Sequence, residues 1–335
     1  MNMTDQSRRV LLVAVPEGLP KESDFLIEDM VVPECPLDGL LVKTRYLSVD
    51  PYLRGRIAGK KTYVDPIPLG NVMESGCVGE VVASRNGDYR VGEIVAGLWG
   101  WQDYVGVEVG KVQRVDPAEA PVSTALGILG MPGMTAYFGF TELCSPKSGE
   151  TVVVSGAAGA VGSAVGQIAK ILGCHVIGVA GTAEKVAYLK SLGFDGALNY
   201  RTDKPYGERL AALCPNGIDC YFDNVGGEMT DTVLGLMNSR GRVSVCGQIA
   251  SYNDRSEDVG PRPFTDILVK QLRVEGFIVS RWGERFPEGR KQMAAWFKAG
   301  LLKYEETVYK GLESAPRAFI GLFAGENTGK ALVEL

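Results

Sequence analysis

The segment Thr151–Gly173, TVVVSGAAGAVGSAVGQIAKILG, sets an apolar run ahead of a burst of small residues and a helical pattern. Within it, Ala157 to Gly162 follow A-x-G-x-x-G, a variant of G-x-G-x-x-G with alanine in first place. Such a turn brings backbone close to a pyrophosphate and lets a helix pack tightly on the preceding strand. Amides at the start of that helix then face the anion. Gly159, Ala160, Val161 and Gly162 are the candidate contacts. Val161, Val165, Ile168 and Leu172 repeat at helical spacing, and Gly173 suits the helix end.

An NAD site usually places Asp or Glu about twenty residues further on, where it holds the ribose hydroxyls. Here the second strand ends VIGVAGT, without an acid, and Lys185 follows within a helical turn. Small residues leave room for a 2′-phosphate and the lysine supplies charge, so NADPH/NADP is the expected coenzyme. Glu184, beside it, stands at a helix start and is expected to point away from the phosphate. Ligands of open α/β sheets bind beyond the carboxyl ends of the strands. That rule selects Gly181, Tyr200, Asn224, Cys246 with Gly247, and Phe277, Ile278 and Val279.

The elements that position these groups change character along the chain. Up to about residue 125, short strands alternate with Gly/Pro punctuation, as in a β-rich barrel or sandwich; the first strand is expected within Val10–Val15. From about Glu150, strand-like runs alternate with helix candidates at Val161–Leu172, Ala183–Leu192, Tyr206–Leu213, Glu228–Met237 and Phe264–Leu272. This alternation predicts a doubly wound parallel sheet. A helix near Pro287–Ala299 follows, and the last ~30 residues read as strand.

With 335 residues, 22% of them charged, and a formal net charge of −5, the chain offers no basic footprint for nucleic acid or anionic lipid. No run approaches the roughly 18–20 apolar residues of a membrane span, and a cytoplasmic protein is expected. The seven cysteines form no C-x-x-C, and the one histidine, His175, lies in a strand-like run where a structural role is expected. No Cys/His set suits a metal.

Together with SVDPYLRGR (Ser48–Arg56), GMPGMTAYFG (Gly130–Gly139), EKVAYLKSLGFD, FDNVGG and GENTGKALVEL, these motifs resemble the zinc-independent medium-chain dehydrogenases/reductases. The likeness covers the whole chain. It is specifically to the leukotriene 12-hydroxydehydrogenase/oxoprostaglandin reductase group, with its plant double-bond reductases and bacterial curcumin-reductase-like members. The resemblance implies an α/β architecture, a Rossmann doubly wound parallel sheet inserted into a β-rich GroES-like domain. Residues 1–127 completed by 305–335 would form the GroES-like domain, and 128–304 the dinucleotide-binding domain. It implies NADPH, a homodimer, no metal, and hydride transfer to the β-carbon of an α,β-unsaturated ketone or aldehyde. Coenzyme contacts carried over by motif are Gly159 to Gly162, Lys185, Tyr200, Asn224, the loop Cys246, Gly247, Gln248, Ile249, Ala250, Ser251 and Tyr252, the Phe277–Val279 strand end, and Asn327. Charge developing on the carbonyl oxygen requires a hydrogen-bond donor, and Tyr252 matches the family tyrosine in that role. Tyr52 and Tyr63 resemble tyrosines of the substrate cleft.

The GWQDY run leans toward the bacterial, curcumin-reductase-like branch, and SYNDRSEDVGPRPFTD is expected to form a substrate-side loop. A quinone reductase or an allylic-alcohol dehydrogenase on the same scaffold, and a noncatalytic NADPH-binding protein, are the competing readings.

Overall fold

The structure is a computed structural model that describes residues 6–254 and 259–335. Residues 255–258 of the expected substrate-side loop lie outside the described residues. The chain divides into two compact units, one running to Leu126 and resuming at Glu306–Leu335, the other Gly127–Glu305.

The first unit begins with β1 (Gln6–Leu12), β2 (Phe25–Val31), β3 (Gly39–Ser48) and the single turn α1 (Leu53–Arg56). It continues through β4 (Gly76–Ser84), β5 (Ile94–Leu98), β6 (Tyr104–Glu108) and β7 (Val112–Val115). β1 and β2 form an antiparallel ladder. The first strand stops at Leu12 and not at Val15, because Val13 and Ala14 turn their amides to the carbonyl of Asp24.

In the second unit, α2 (Met131–Thr141) leads into β8 (Thr151–Val154), α3 (Ala160–Ile171), β9 (His175–Ala180) and α4 (Ala183–Ser191). Then come β10 (Gly196–Asn199), α5 (Tyr206–Leu213), β11 (Ile218–Asp223), α6 (Gly227–Leu236) and β12 (Met237–Val245). α7 (Phe264–Val269), β13 (Arg273–Gly276) and α8 (Phe286–Lys298) complete it. All six strands pair in parallel in the order β10-β9-β8-β11-β12-β13. The order reverses between β8 and β11, which is where open α/β sheets carry ligands. β8 is buried at every residue, as expected of a strand covered on both faces. The predicted helices form within one to three residues of their expected limits. α7 ends three residues early because Gln271 takes a left-handed φ of 52°.

Besides the single turn α1, two helices are additional to the sequence reading. One is α2. The other, α9 (Ala315–Ala324), lies between β14 (Glu306–Lys310) and β15 (Lys330–Glu334), so the C-terminal segment is not all strand. It returns to the first unit, whose large sheet runs β14-β15-β3-β4-β5-β7 with β6 also paired to β3. α9 buries Phe319 against Phe25 and Trp101, with ring centroids 6.3 and 6.1 Å away. Trp101, in the GWQDY run, is fully buried and donates its Nε1–H to the Ser48 carbonyl at 3.4 Å. The run is therefore core and strand edge in this unit. Lys330 is buried as well: its Nζ donates to the carbonyls of Val49 and Ala331, both at 2.8 Å, and lies 3.1 Å from Asp50 Oδ1. This pair ties β15 to the turn after β3.

Candidate active site

The site is built at the carboxyl ends of β8 to β12, within the second unit. After β8 the chain turns through Ser155 and Gly156 into Gly159, the residue that starts α3. A glycine there has no side-chain oxygen to cap the helix, so the first-turn amides of Ala160, Val161 and Gly162 are left for an outside acceptor. Gly162 has to be glycine: a Cβ would stand 2.4 Å from the Gly156 carbonyl oxygen and 2.7 Å from Ala157 Cα. This tight cradle, closed by backbone and headed by helix amides, fits the pyrophosphate of a dinucleotide.

On the β9 side, the strand ends at Ala180 and Thr182 caps α4, its side chain accepting from the Lys185 amide at 3.2 Å. No acid occupies the strand tip. Glu184 is exposed, and its carboxyl is held below the usual carboxylate range by its own amide and the Thr182 hydroxyl. It serves the start of α4. Tyr200 follows β10 and lies so close to Gly181 that a Cβ there would meet its hydroxyl at 2.8 Å. Lys185 is half-buried; burial, and after it the charge of Arg201, lower its pKa. Arg201 in turn sits 5.7 Å from the centre of the Tyr200 ring. Two cations and a phenol thus gather where the acid of an NAD site would stand, and they suit a 2′-phosphate. Arg201 was not singled out by the sequence, although its place directly after Tyr200 was visible.

The β11 side is organised by Asp223, a residue the sequence reading passed over. It is fully buried. Its Oδ1 accepts from Ser155 Oγ (2.9 Å), Tyr221 Oη (2.9 Å), and the amides of Val225 (3.0 Å) and Gly226 (2.9 Å). Its Oδ2 accepts from Thr230 Oγ1 (2.7 Å) and Gln248 Nε2 (3.3 Å). Asn224 is fixed by the same frame: its amide donates to Ser155 Oγ at 2.9 Å and its Nδ2 to the Ser155 carbonyl at 2.8 Å. The loop Cys246–Tyr252 is then strapped onto this turn. Cys246 and Gly247 donate amides to the Asp223 carbonyl, and Ala250 to that of Val225. Asn224 and the 246–252 loop are therefore brought together as one rigid piece, along with Gln248, Ile249 and Ser251.

Tyr252 completes that piece. Its hydroxyl oxygen accepts the Gln248 amide at 3.3 Å, so its own O–H remains to donate elsewhere. Burial, then Cys246 and Asp223, raise its pKa against the opposing Gln248 amide, and the phenol keeps its proton. Cys246 is unsuited to nucleophilic work, since burial and then Asp223 push its thiol up to about 12.

The remaining expected residues stand apart from this cluster or in the other unit. β13 ends at Gly276, so Phe277, Ile278 and Val279 lie just past the strand, Val279 opening a short 3-10 turn. Phe277 packs into the core, 6.2 Å from Phe222 and 5.5 Å from Trp282 between ring centres, while Ile278 is exposed. Asn327 is in the first unit, its Nδ2 donating to the Gly329 carbonyl at 2.8 Å. Tyr52 and Tyr63 are there too. Tyr52 starts α1, and burial, followed by Asp50 and Tyr63, raises its pKa; Tyr63 is exposed. His175 begins β9 at the strand end opposite the site, its Nε2 3.2 Å from the Leu213 carbonyl.

Comparison with known proteins places this geometry in context. Residues 8–115 match the N-terminal domain of oxidoreductases, and residues 160–297 match the zinc-binding dehydrogenase family. The chain is 45% identical over 324 residues to prostaglandin reductase 1 of Rattus norvegicus, covering 95% of this chain and 96% of the relative. It is 43% identical over 334 residues to the NADP⁺-dependent 2-alkenal reductase of Nicotiana tabacum, covering 98% and 97%. The crystal structure of CurA from Vibrio vulnificus in complex with NADPH superposes with a TM-score of 0.93 at 40% identity, covering 98% of both chains. The zinc that the second family's description names does not fit the donors present. Among the described residues, no three His, Cys, Asp or Glu side chains gather as a metal-ligand set.

Proposed function

Because the chain belongs to the medium-chain dehydrogenase/reductase family, in its group of prostaglandin and 2-alkenal reductases, we propose that Tyr252 and the Asn224 turn form its reacting centre. The protein is an NADPH-dependent oxidoreductase that saturates the carbon–carbon double bond of α,β-unsaturated ketones and aldehydes. NADPH, when bound, supplies the hydride taken up at the β-carbon. Gly159 to Gly162 hold the pyrophosphate, and Lys185, Tyr200 and Arg201 the 2′-phosphate. Asn224 and the Cys246–Ser251 loop orient the nicotinamide half, with Phe277, Ile278, Val279 and Asn327 as further coenzyme contacts. Tyr252 donates its O–H to the carbonyl oxygen as negative charge builds there, and Tyr52 and Tyr63 contact the substrate.

One observation carries the assignment of Tyr252: its oxygen already accepts the Gln248 amide, which leaves its proton to donate to another acceptor. The expected result is steady NADPH oxidation with an enone or enal. Faster turnover of a simple quinone, or of an allylic alcohol with NADP⁺, would replace this reading by one of those activities. NADPH binding with no turnover of any of the three would mark a noncatalytic protein.

The chain is further read as a homodimer in the cytoplasm. Supporting the dimer, β13 is an edge strand of the parallel sheet with Val274 exposed on it, and Phe264, Leu268 and Val269 of α7 are exposed as well. An edge strand is a template for pairing with a second strand. The seven cysteines are all free thiols, in keeping with a reducing compartment. Among the described residues, no helix is long and apolar enough to cross a membrane. A mass in solution near 36 kDa, the monomer value, would reject the dimer.

A further inference from the structure

The Asp223 carboxylate has six hydrogen-bond partners, and three of them, the amides of Val225 and Gly226 and the Gln248 side-chain nitrogen, can only donate. Ser155 Oγ accepts the Asn224 amide and donates to Asp223 Oδ1, both at 2.9 Å. Asp223 is fully buried and, among the described residues, no Lys, Arg or His forms an ion pair with it. Buried charges are ordinarily paired. Dipoles alone stabilise this one.

Its position gives the charge a use. In a sheet with this strand order, a dinucleotide lies across the reversal point, here between β8 and β11, with its pyrophosphate at α3. Lys185, Tyr200 and Arg201 collect beyond β9 and β10, so the adenosine half belongs on that side and the nicotinamide half on the β11–β12 side. Asp223 ends β11. Resting on the coenzyme reading above, we propose that the buried Asp223 carboxylate is the fixed counter-charge for the oxidised nicotinamide and makes the bound coenzyme a stronger reductant.

The reaction balances as follows. The C4–H bond of the dihydronicotinamide breaks and its two electrons form the new C–H bond at the substrate β-carbon. The C=C becomes a single bond, and the resulting enolate takes up one proton at the α-carbon. The reduced nicotinamide ring is neutral and the oxidised ring carries one positive charge, so a nearby fixed anion favours the oxidised form alone.

The test is the ratio of dissociation constants, Kd(NADP⁺)/Kd(NADPH), measured by titration of the whole wild-type chain and two variants. Asp223→Asn removes the charge with almost no change of shape; rotation of the Thr230 hydroxyl and a flip of the Gln248 amide can satisfy the new NH₂. Gln248→Lys keeps the carboxylate and its turn but sets a cation against it. Both variants are expected to raise the ratio by about tenfold, a rise of about 30 mV in the potential of the bound couple. In Asp223→Asn, a scaffolding role alone would weaken both coenzyme forms equally. A ratio within about twofold of wild type in Gln248→Lys overturns the assignment, and decides the matter even where Asp223→Asn does not fold. If the wild-type chain binds neither form, the coenzyme site itself falls, and this inference with it.

Discussion

Replacing Lys185 by alanine separates the coenzyme reading from a purely structural one. The ammonium stands on the first turn of α4, where burial and the neighbouring Arg201 charge both disfavour its protonated form. Placing a 2′-phosphate between these two cations turns their repulsion into two charge-assisted contacts. One such contact contributes about 1.5–3 kcal/mol, which is about 10- to 150-fold in affinity. Arg201 remains in the variant and keeps part of the attraction, so the expected weakening of NADPH lies toward the lower end, about 10- to 30-fold. NADH lacks the phosphate and should bind as it does to the wild-type chain. The Lys185 amide caps onto Thr182 through backbone alone, so the helix start survives the substitution. Fluorescence titration with both coenzymes gives the answer. Equal losses for NADPH and NADH, or none for either, would refute the reasoning.

Tyr252→Phe should lower kcat about 10- to 100-fold, less than a complete oxyanion-hole loss because a ribose hydroxyl can share the oxyanion. Since the Tyr252 pKa is raised from 10.0, the donor stays protonated as pH climbs, and the wild-type kcat should show no fall assignable to it below about pH 10; a fall that appears earlier and vanishes in the phenylalanine variant would contradict this. Gly162→Ala should weaken NADPH and NADH alike and destabilise the fold by about 1–3 kcal/mol, seen in denaturant unfolding, because backbone atoms meet the new methyl. Lys330→Ala should cost about 3–5 kcal/mol by leaving Asp50 buried without its cation; an unchanged midpoint would show that the pair carries little.

The parallel sheet was legible because its strands and helices have different periods and alternate at regular spacing. The glycine turn into α3 was legible because its signal is local: Gly159, Gly162 and the helix they start are neighbours in sequence. α2 escaped because most of its residues are buried, leaving no polar face to mark a helical period. α9 is likewise apolar, yet Pro316 in its first turn and Gly325 at φ 70° beyond its end were readable boundary signals. Asp223 escaped for another reason. In FDNVGG it reads as an ordinary turn residue, and its meaning depends on Ser155, 68 positions earlier, and Gln248, 25 positions later. No local pattern encodes such a convergence. Phe277 shows the opposite case, a residue placed correctly near a strand end whose ring the fold uses as core.

The most direct test follows the hydride itself. Incubating the protein with an enone and NADPH deuterated at C4, on each face in turn, and locating the label by NMR should put deuterium at the β-carbon of the saturated ketone from one of the two, with the α-carbon taking its hydrogen from solvent. Deuterium on the carbonyl carbon, giving an allylic alcohol, or no transfer from either labelled coenzyme would contradict the account.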